Sequence, residues 1–353
     1  MHQTIISMDQ TLRTTLSQFA IEIEKDIQHE GFSELDLLHK WTSKLLSLSS
    51  EFRNDKAKLT FKELYLETIS ALAQPAVDRN LFSAIPTGFI ELDRIIKGFP
   101  KGELIVIAGR PAMGKTAFMI SIMANLIASQ KPIAYFSIEN TAQQILMRLI
   151  SFFTEVSDHL LATKAVTPAQ LEDILVKTKV IRDANITLED SCFSIDDIVV
   201  QVDYLVKEKK IEVVFIDHLQ LVNVKNRMVN NREDELSKIC RELKVVARRY
   251  NIAVVVSSQL SRAVETRGGD KRPQLSDLQL SAAIERDADK VLIIYRPEYY
   301  NITKDENGRD TSGVAEIIVA KNTDCVVDSV KLNFIGSCSK FVDSDATFLK
   351  KPL

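Results

Sequence analysis

Helix-breaking residues are scarce at the start of this 353-residue sequence. None of its 9 prolines precedes Pro75, and of its 11 glycines only Gly31 precedes Gly88. Because proline and glycine disfavour helix interiors, this distribution is typical of a helical leader. The rest of the chain, about 280 residues, is rich in turn residues and long enough for one large domain.

The charge balance, the cysteine spacing and the lack of long apolar runs exclude several classes of protein. The 45 Lys and Arg residues nearly balance 48 Asp and Glu residues, so contact with nucleic acid must be confined to a loop or channel. The four cysteines form no C-x-x-C pair, which favours reduced thiols over a disulfide framework or zinc site. The longest uncharged run, Thr116–Gln130, is too short and polar to span a membrane. Since residues 1–17 lack an apolar signal segment, we expect a cytoplasmic protein without membrane contact.

The leader predicts three helices. Apolar residues recur at spacings of three and four on both sides of Gly31, which indicates an αα-hairpin over residues 1–58. A capping box of Thr60 and Glu63 begins a third helix, which we place within residues 59–75, and a catalytic domain follows over 76–353. The apolar side of the hairpin packs either on the body of its own chain or on a partner.

The body predicts an α/β fold. Five short β-branched runs between Glu103 and Tyr295 alternate with helical segments, as in a parallel sheet covered on both faces. Two further runs, Val314–Ala320 and Ser329–Phe334, predict a terminal hairpin.

The strongest motif follows the first predicted strand and opens a helix. It has the form G-x-x-x-x-G-K-[ST], in which backbone N–H groups converge on phosphate oxygens at a helix N-terminus. We predict that Lys115 reaches the β- and γ-phosphates of ATP and that Thr116 offers its hydroxyl to Mg²⁺. The predicted ATP-binding residues are Gly109, Arg110, Pro111, Ala112, Met113, Gly114, Lys115, Thr116 and Ala117.

Three more predicted strands end in polar residues. Asp217 can support the Mg²⁺ shell beside the phosphate loop. Glu139 is the candidate general base for water attack, although a carboxylate favoured by the dipole of the following helix is the alternative. Gln259 either senses the γ-phosphate or is an ordinary polar residue at a strand end.

In this order the motifs resemble the RecA-type ATPase domain of DnaB-family replicative helicases. The resemblance covers about residues 60–343. Further matching stretches are Ile85-Pro-Thr-Gly-Phe-Ile-Glu-Leu-Asp93, Phe136-Ser-Ile-Glu139, Phe215-Ile-Asp-His-Leu-Gln-Leu221, Ser258-Gln-Leu-Ser-Arg262, Ile294-Tyr-Arg296, Gly313-Val-Ala-Glu-Ile-Ile-Val-Ala-Lys321 and Asn333-Phe-Ile-Gly336.

The resemblance implies an ATP-dependent DNA helicase with a RecA-like P-loop fold. It implies a hexameric homo-oligomeric ring with ATP between subunits, ssDNA in the central channel and 5′→3′ unwinding during replication. Primase or a helicase loader is a further implied partner. The third helix corresponds to the linker helix of the family, and the hairpin to half of its N-terminal domain. We expect the globular N-terminal subdomain of the family to be missing.

Three segments depart from the family pattern. Its K-x-R pair reads Lys321-Asn322-Thr323 here, so the lysine that acts on the neighbouring ATP is present and the arginine finger is replaced by Thr323. The DNA-facing loop, which reads D-L-R-E-S-G in the family, is formed here by Asp277-Leu-Gln279-Leu280-Ser281-Ala282, so its arginine, glutamate and glycine are all replaced. His218 replaces the usual tyrosine, which we interpret as a packing variant.

Two further expectations concern DNA contact and the rate of ATP hydrolysis. Lys225 and Arg227 lie where the family has its other channel loop, so they are candidate DNA contacts together with the altered loop. Hydrolysis is expected to be weak without the arginine finger. The alternative function is therefore a helicase-like paralogue that acts as an assembly factor or regulator of a complete helicase.

Overall fold

The structure is a computed structural model. It describes residues 2–28, 34, 36–38, 40–42, 44–45, 61–62, 65–66, 69–70, 84–224, 231–266, 271–278, 281–304, 308–323 and 326–344. The chain divides into two compact units, Met1–Leu81 and Phe82–Leu353.

The first unit contains two helical segments that contact each other. Helix α1 spans His2–Ile27, and the described residues between 34 and 45 are helical. Phe19 and Trp41 are buried and meet edge to face with ring centroids 5.0 Å apart. Lys40 Nζ lies 2.6 Å from Asp26 Oδ2, and the later Lys44 pairs with the earlier Glu22, so later residues of the second segment meet earlier residues of α1. The two segments therefore pack antiparallel, as in the predicted hairpin.

The third predicted helix and the domain boundaries are only partly within the described residues. Residues 61–62, 65–66 and 69–70 are helical, and the side chains of Phe61, Tyr65, Leu66 and Ile69 are exposed. Gly31, Thr60, the segment 46–60 and the end of the third helix lie outside the described residues. The boundaries at residues 58 and 75 stay predictions.

Within the described residues of the second unit, nine strands form one sheet in the order β3-β2-β4-β5-β1-β6-β7-β8-β9. The pairs from β3 to β6 are parallel, and β6 to β9 are joined by antiparallel pairs. The strands are β1 Leu104–Gly109, β2 Ile133–Ser137, β3 Ile186–Glu189, β4 Val213–Asp217, β5 Ala253–Gln259, β6 Lys290–Tyr295, β7 Val314–Asn322, β8 Ser329–Ile335 and β9 Lys340–Asp343.

This sheet confirms the predicted α/β fold with mainly parallel strands. The sequence pattern missed β3 and β9, which have only four residues each and lie at the two edges of the sheet. At that length alternation is too brief to distinguish a strand from a loop.

Helices cover both faces of the sheet. In β1, Ile105 and Ile107 belong to one hydrophobic core, whereas Leu104 and Val106 belong to another. Because successive strand side chains point to opposite faces, these two cores lie on the two sides. The helices are α2 Ile90–Ile96, α3 Lys115–Ala128, α4 Ala142–Thr154, α5 Asp158–Ala162, α6 Pro168–Lys177, α7 Lys179–Arg182, α8 Ile195–Lys209, α9 Arg232–Tyr250, α10 Ala263–Thr266 and α11 Ser281–Asp287.

No helix among the described residues is long and apolar enough to cross a bilayer. The longest helix of the second unit, α9, instead buries one side against the sheet. Its apolar residues Leu236, Ile239, Leu243 and Val246 recur at spacings of three and four and are all buried.

A tight turn before α2 anchors the entry segment. Asp93 Oδ1 accepts hydrogen bonds from the Thr87 backbone N–H and hydroxyl, at 2.9 and 2.8 Å. Asn125 of α3 donates to the Thr87 carbonyl at 3.0 Å. Gly88 has φ +84, and a Cβ there would lie 2.5 Å from Asn125 Cβ. Only glycine therefore permits this turn to pack so closely on α3.

Candidate functional site

The polar residues predicted at the strand ends meet at one edge of the sheet. Gly109 of β1 pairs with Gln259 of β5, and Ser137 of β2 pairs with Asp217 of β4. Since β5 lies between β4 and β1, these ends are neighbours. Carboxyl ends of parallel strands are the usual place for a ligand in open α/β sheets.

The phosphate loop connects β1 to α3 through two residues with positive φ. Ala112 has φ +64, and Gly114 has φ +94 and is the N-cap of α3. Lys115 Nζ donates to the carbonyls of Gly109 and Arg110, at 3.0 and 3.2 Å. Burial lowers the pKa of Lys115, whereas the negative charges of Asp217 and Glu139 oppose that shift. The loop thus holds a cation at a helix N-terminus, where phosphate oxygens bind.

Arg110, the second residue of the phosphate loop, binds across the site. Arg110 Nε and Nη2 donate to Glu265 Oε1 of α10 at 2.9 and 2.7 Å, and Nη1 donates to the Leu260 carbonyl at 2.9 Å. These bonds connect the phosphate loop to the segment that follows β5. A cleft between them is lined by Arg110, Pro111, Gln259, Leu260, Ser261 and Arg262.

Asp217 is buried and accepts three hydroxyl hydrogen bonds. Its donors are Thr116 at 2.7 Å, Tyr135 at 2.9 Å and Ser257 at 2.5 Å. Burial and the neighbouring Asp217 carboxylate raise the pKa of Tyr135 well above its ordinary value, so its hydroxyl stays a donor. The carboxylate is therefore held on the hydroxyl of Thr116, in the first turn of α3.

The donor set of Thr116 and Asp217 fits a magnesium ion. Both supply hard oxygen atoms, and Mg²⁺ in nucleotide sites is typically held by one or two protein oxygens together with phosphates and water. Among the residues that the structure describes, no group of three or more His, Cys, Asp or Glu side chains could hold a metal ion. The site therefore fits Mg²⁺ carried with a nucleotide rather than a metal cage made by the protein.

Glu139 and Gln259 both contact His218, which follows Asp217. The Glu139 Oε2 atom lies 3.1 Å from His218 Nδ1, and Gln259 Nε2 lies 3.5 Å from His218 Nε2. The N-terminus of α4 is capped by Thr141, whose hydroxyl accepts from Gln144 N–H at 3.3 Å. Thr141 therefore supplies the side-chain cap of this helix, whereas Glu139 contacts His218 at the site, and its role as general base or as a carboxylate favoured by the helix dipole stays a prediction.

Two further residues lie at the site, and sequence reasoning gives the first of them no role. Gln220 donates from Nε2 to Ser258 Oγ at 2.9 Å, and its Oε1 accepts the Gln259 backbone N–H at 3.2 Å. Arg296 Nη1 lies 3.5 Å from the carbonyl of Ala112, and its guanidinium stacks on Phe334 at 3.9 Å. Burial lowers the pKa of Arg296. The sequence contains a signal for both residues, because each lies shortly after a predicted strand, where ligand-binding side chains of a parallel sheet are expected.

Lys321 and Thr323 lie away from the phosphate loop. Lys321 in β7 pairs with Val291, near the start of β6. Gly109 lies at the carboxyl end of β1, which is parallel to β6, so the two residues lie at opposite ends of the strands. Lys321 Nζ donates to the carbonyls of Glu285 and Ala288 at 2.5 and 2.6 Å. The Thr323 hydroxyl donates to the Asp289 carbonyl at 2.9 Å. Neither residue takes part in the site of its own chain.

The predicted DNA-binding residues are mostly outside the part of the chain that is described. These residues are Lys225, Arg227, Gln279 and Leu280. Ser281 and Ala282 form the first turn of α11.

Comparison with known proteins identifies this arrangement. A family model described as the DnaB-like helicase C-terminal domain matches residues 84–343. The chain belongs to the DnaB-like helicase family. As a member of it, the protein is an ATP-hydrolysing replicative DNA helicase with a RecA-type ATPase domain.

Two individual relatives and one solved structure show the same similarity to replicative helicases. It is 34% identical to the replicative DNA helicase DnaB of Geobacillus stearothermophilus over 333 residues. This aligned region covers 93% of this chain and 72% of that protein. It is 32% identical to the replicative DNA helicase DnaC of Bacillus subtilis (strain 168), over 95% of this chain and 71% of that protein. A solved structure of a DnaB-like replicative helicase, reported with its interactions with primase, matches with a TM-score of 0.76 and 27% identity, over 97% of this chain and 78% of that chain.

Proposed function

We propose that this helicase forms a homo-oligomeric ring, hexameric as the family resemblance implies, and translocates 5′→3′ on ssDNA to unwind duplex during replication. The observation that carries the proposal is the cluster of Lys115, Thr116, Asp217 and Glu139 at one edge of the sheet. Such a cluster meets the requirements of phosphoryl transfer, which depends mainly on positioning and charge stabilisation.

ATP is the proposed substrate of this site. Residues 109–117 wrap the phosphates through backbone N–H groups, and the Lys115 ammonium leaves the loop carbonyls to contact the β- and γ-phosphates. Thr116 and Asp217 hold Mg²⁺, which when bound offsets negative charge on those phosphates. The hydrogen bonds of Asp217 to Tyr135 and Ser257 keep its carboxylate oriented.

Glu139 and Gln259 act on the γ-phosphate side of the site. Glu139 orients or deprotonates the attacking water, and its side chain is 55% exposed, so water reaches it. Gln259 responds to the γ-phosphate, and its backbone N–H is fixed by Gln220. Beyond Gln259 the chain leads directly to the segment that carries Glu265, the partner of Arg110.

Ring formation is supported by the position of Lys321. Because Lys321 lies at the opposite edge of the sheet from the phosphate loop of its own chain, it reaches ATP only across a subunit interface. In this proposal ssDNA contacts Lys225, Arg227 and the loop of Gln279, Leu280, Ser281 and Ala282. Primase is the candidate partner, because the solved relative was reported with its interactions with primase.

The test is strand displacement on a forked duplex with the purified protein, together with ssDNA-stimulated ATP hydrolysis. Lys115→Ala should abolish both, whereas Lys131→Ala, whose ammonium lies 3.7 Å from Glu212 at the surface, is the matched control and should retain them. Wild-type hydrolysis by Lys115→Ala would refute the assignment. Mass measurement with and without Mg·ATP gives the number of subunits.

Thr323 favours a second candidate function. Threonine has no guanidinium to act as an arginine finger, and the hydroxyl of Thr323 is bonded to the carbonyl of Asp289 in its own chain. The protein would then act as an assembly factor or regulator that requires a complete helicase. Unwinding that appears only after a complete DnaB-type helicase is added would favour this candidate, and robust unwinding by the protein alone would exclude it.

A further inference from the structure

His218 occupies the centre of the strand-end cluster. It follows β4, which lies between β2 and β5 in the sheet, and its side chain is 7% exposed. Its two ring nitrogens face the residues at the ends of those neighbouring strands, Glu139 on one side and Gln259 on the other. The ring therefore lies between the proposed water-activating carboxylate and the proposed γ-phosphate sensor.

One tautomer of the neutral imidazole satisfies both contacts. A neutral ring has one N–H donor and one acceptor nitrogen. The Glu139 carboxylate only accepts, so Nδ1 carries the hydrogen and donates to it over 3.1 Å. The other nitrogen, Nε2, is then an acceptor and receives the Gln259 amide N–H over a longer distance of 3.5 Å. A tyrosine at this position, as in the family pattern, has a single hydroxyl and cannot join both residues from two atoms.

The backbone around His218 limits how far the ring can move. Asp217, the preceding residue, is held by three hydroxyl groups. Leu219, the following residue, is buried in the core on one face of the sheet. By contrast, the Glu139 side chain is 55% exposed, and His218 supplies its hydrogen-bond partner among the described residues. A fixed ring thus restrains a carboxylate that solvent would otherwise leave mobile.

We propose that His218 is a positioning residue that holds the Glu139 carboxylate and the Gln259 amide in a fixed relation across the ATP site. This rests on the proposed roles of Glu139 and Gln259. His218 itself touches neither ATP nor water in the reaction; it acts through the two side chains. Removing it lets Glu139 rotate into solvent, so ATP binding persists while the rate of the chemical step falls.

Three substitutions separate this role from simple packing. His218→Phe keeps an aromatic ring in the buried space but loses both hydrogen bonds. His218→Asn places an amide near Nδ1 and retains the bond to Glu139. His218→Gln places an amide near Nε2 and retains only the contact to Gln259. Asn and Gln have equal polarity, so their comparison stays informative even where the Phe variant does not fold.

The experiment is steady-state ATP hydrolysis with saturating ssDNA, with thermal unfolding and binding of a fluorescent ATP analogue as checks on folding. Loss of a hydrogen bond to a charged group predicts a fall in kcat of about 10-fold or more for His218→Phe and His218→Gln. Their KM for ATP should stay within about twofold, as expected when an interaction specific to the transition state is lost. His218→Asn should retain kcat within about threefold.

Combination with Glu139→Gln completes the test. If His218 acts mainly through Glu139, adding His218→Phe to Glu139→Gln lowers kcat by no more than the about threefold expected for loss of the Gln259 contact. Wild-type kcat in His218→Phe, equal losses in the Asn and Gln variants, or additive losses in the double variant would each overturn the positioning role. Wild-type hydrolysis by Glu139→Gln would instead overturn the proposed role of Glu139, so the two failures are distinguishable.

Discussion

The Thr116 hydroxyl donates a 2.7 Å hydrogen bond to Asp217 Oδ2, which joins the first turn of α3 to the end of β4 across 101 positions of sequence. The bond brings together the two side chains proposed to hold Mg²⁺. It also connects the phosphate loop, which follows β1, to the end of β4, although β5 lies between these two strands in the sheet. The bond therefore joins the phosphate loop directly to the carboxylate that is proposed to support Mg²⁺.

This relationship predicts that Thr116→Val lowers the rate of ATP hydrolysis by about 10²-fold, the typical effect of removing one catalytic donor or ligand. Valine keeps the branched shape of threonine, and Asp217 keeps its bonds to Tyr135 and Ser257, so folding should persist. Thr116→Ser retains the hydroxyl and serves as the control. Steady-state hydrolysis measured over a Mg²⁺ titration checks the prediction, which fails if the valine and serine variants have equal rates.

Thr323→Arg should increase ATP hydrolysis by the assembled protein. An arginine finger contributes about 10³–10⁵ in rate where it operates, so even a partly aligned guanidinium should raise kcat at least about 10-fold. The increase should appear only at protein concentrations at which subunits associate. Val326→Arg, at an exposed position of the same segment, adds the charge elsewhere and should leave kcat unchanged. An increase in both variants would point to general charge rather than a finger.

Gly88→Ala should destabilise the second unit more than Gly308→Ala. Both glycines have positive φ, which costs a residue with a side chain about 1–3 kcal/mol. At Gly88 the new Cβ would also lie 2.5 Å from Asn125 Cβ, whereas at Gly308 nothing lies within 4 Å. Thermal unfolding followed by circular dichroism measures the difference. Equal midpoints for the two variants would show that the turn moves freely away from α3.

Phe19→Ala should unfold the helical pair of the first unit. Phe19 is buried against Trp41 with ring centroids 5.0 Å apart, and loss of a buried phenylalanine costs about 3–5 kcal/mol. Trp41 is the single tryptophan of the chain, so its emission reports this unit alone and should shift to longer wavelength. Leu16→Ala on the same helix, where Leu16 is 43% exposed, should leave the emission unchanged.

Much of the fold and site followed from local sequence. The phosphate loop was recognisable because residues 109–117 combine glycines, lysine and threonine at fixed spacing between a strand and a helix. Asp217, Glu139 and Gln259 were recognisable because the carboxyl ends of parallel strands share one edge of a sheet. The apolar residues of α9 likewise recur with helical periodicity, on the side of the helix that the structure buries.

Other features were not predictable in this way. The edge strands β3 and β9 are too short for a clear pattern. The sequence alone indicates only that His218 is a packing variant. The residue is indeed buried, but it also contacts Glu139, 79 positions earlier in the chain. The position of Lys321 at the opposite edge from its own phosphate loop follows from the antiparallel pairing of β7 with β6.

The sequence by itself determined the chemistry of the phosphate loop and the alternation of strands and helices, because both depend on neighbours within a few residues. The tertiary structure decided which strand ends are adjacent, since the order β2-β4-β5-β1 does not follow the order of the chain. That order places His218 between Glu139 and Gln259, and it brings Arg296 to Ala112 across 184 positions. Contacts of this kind depend on how the whole sheet is assembled, and no local pattern encodes them.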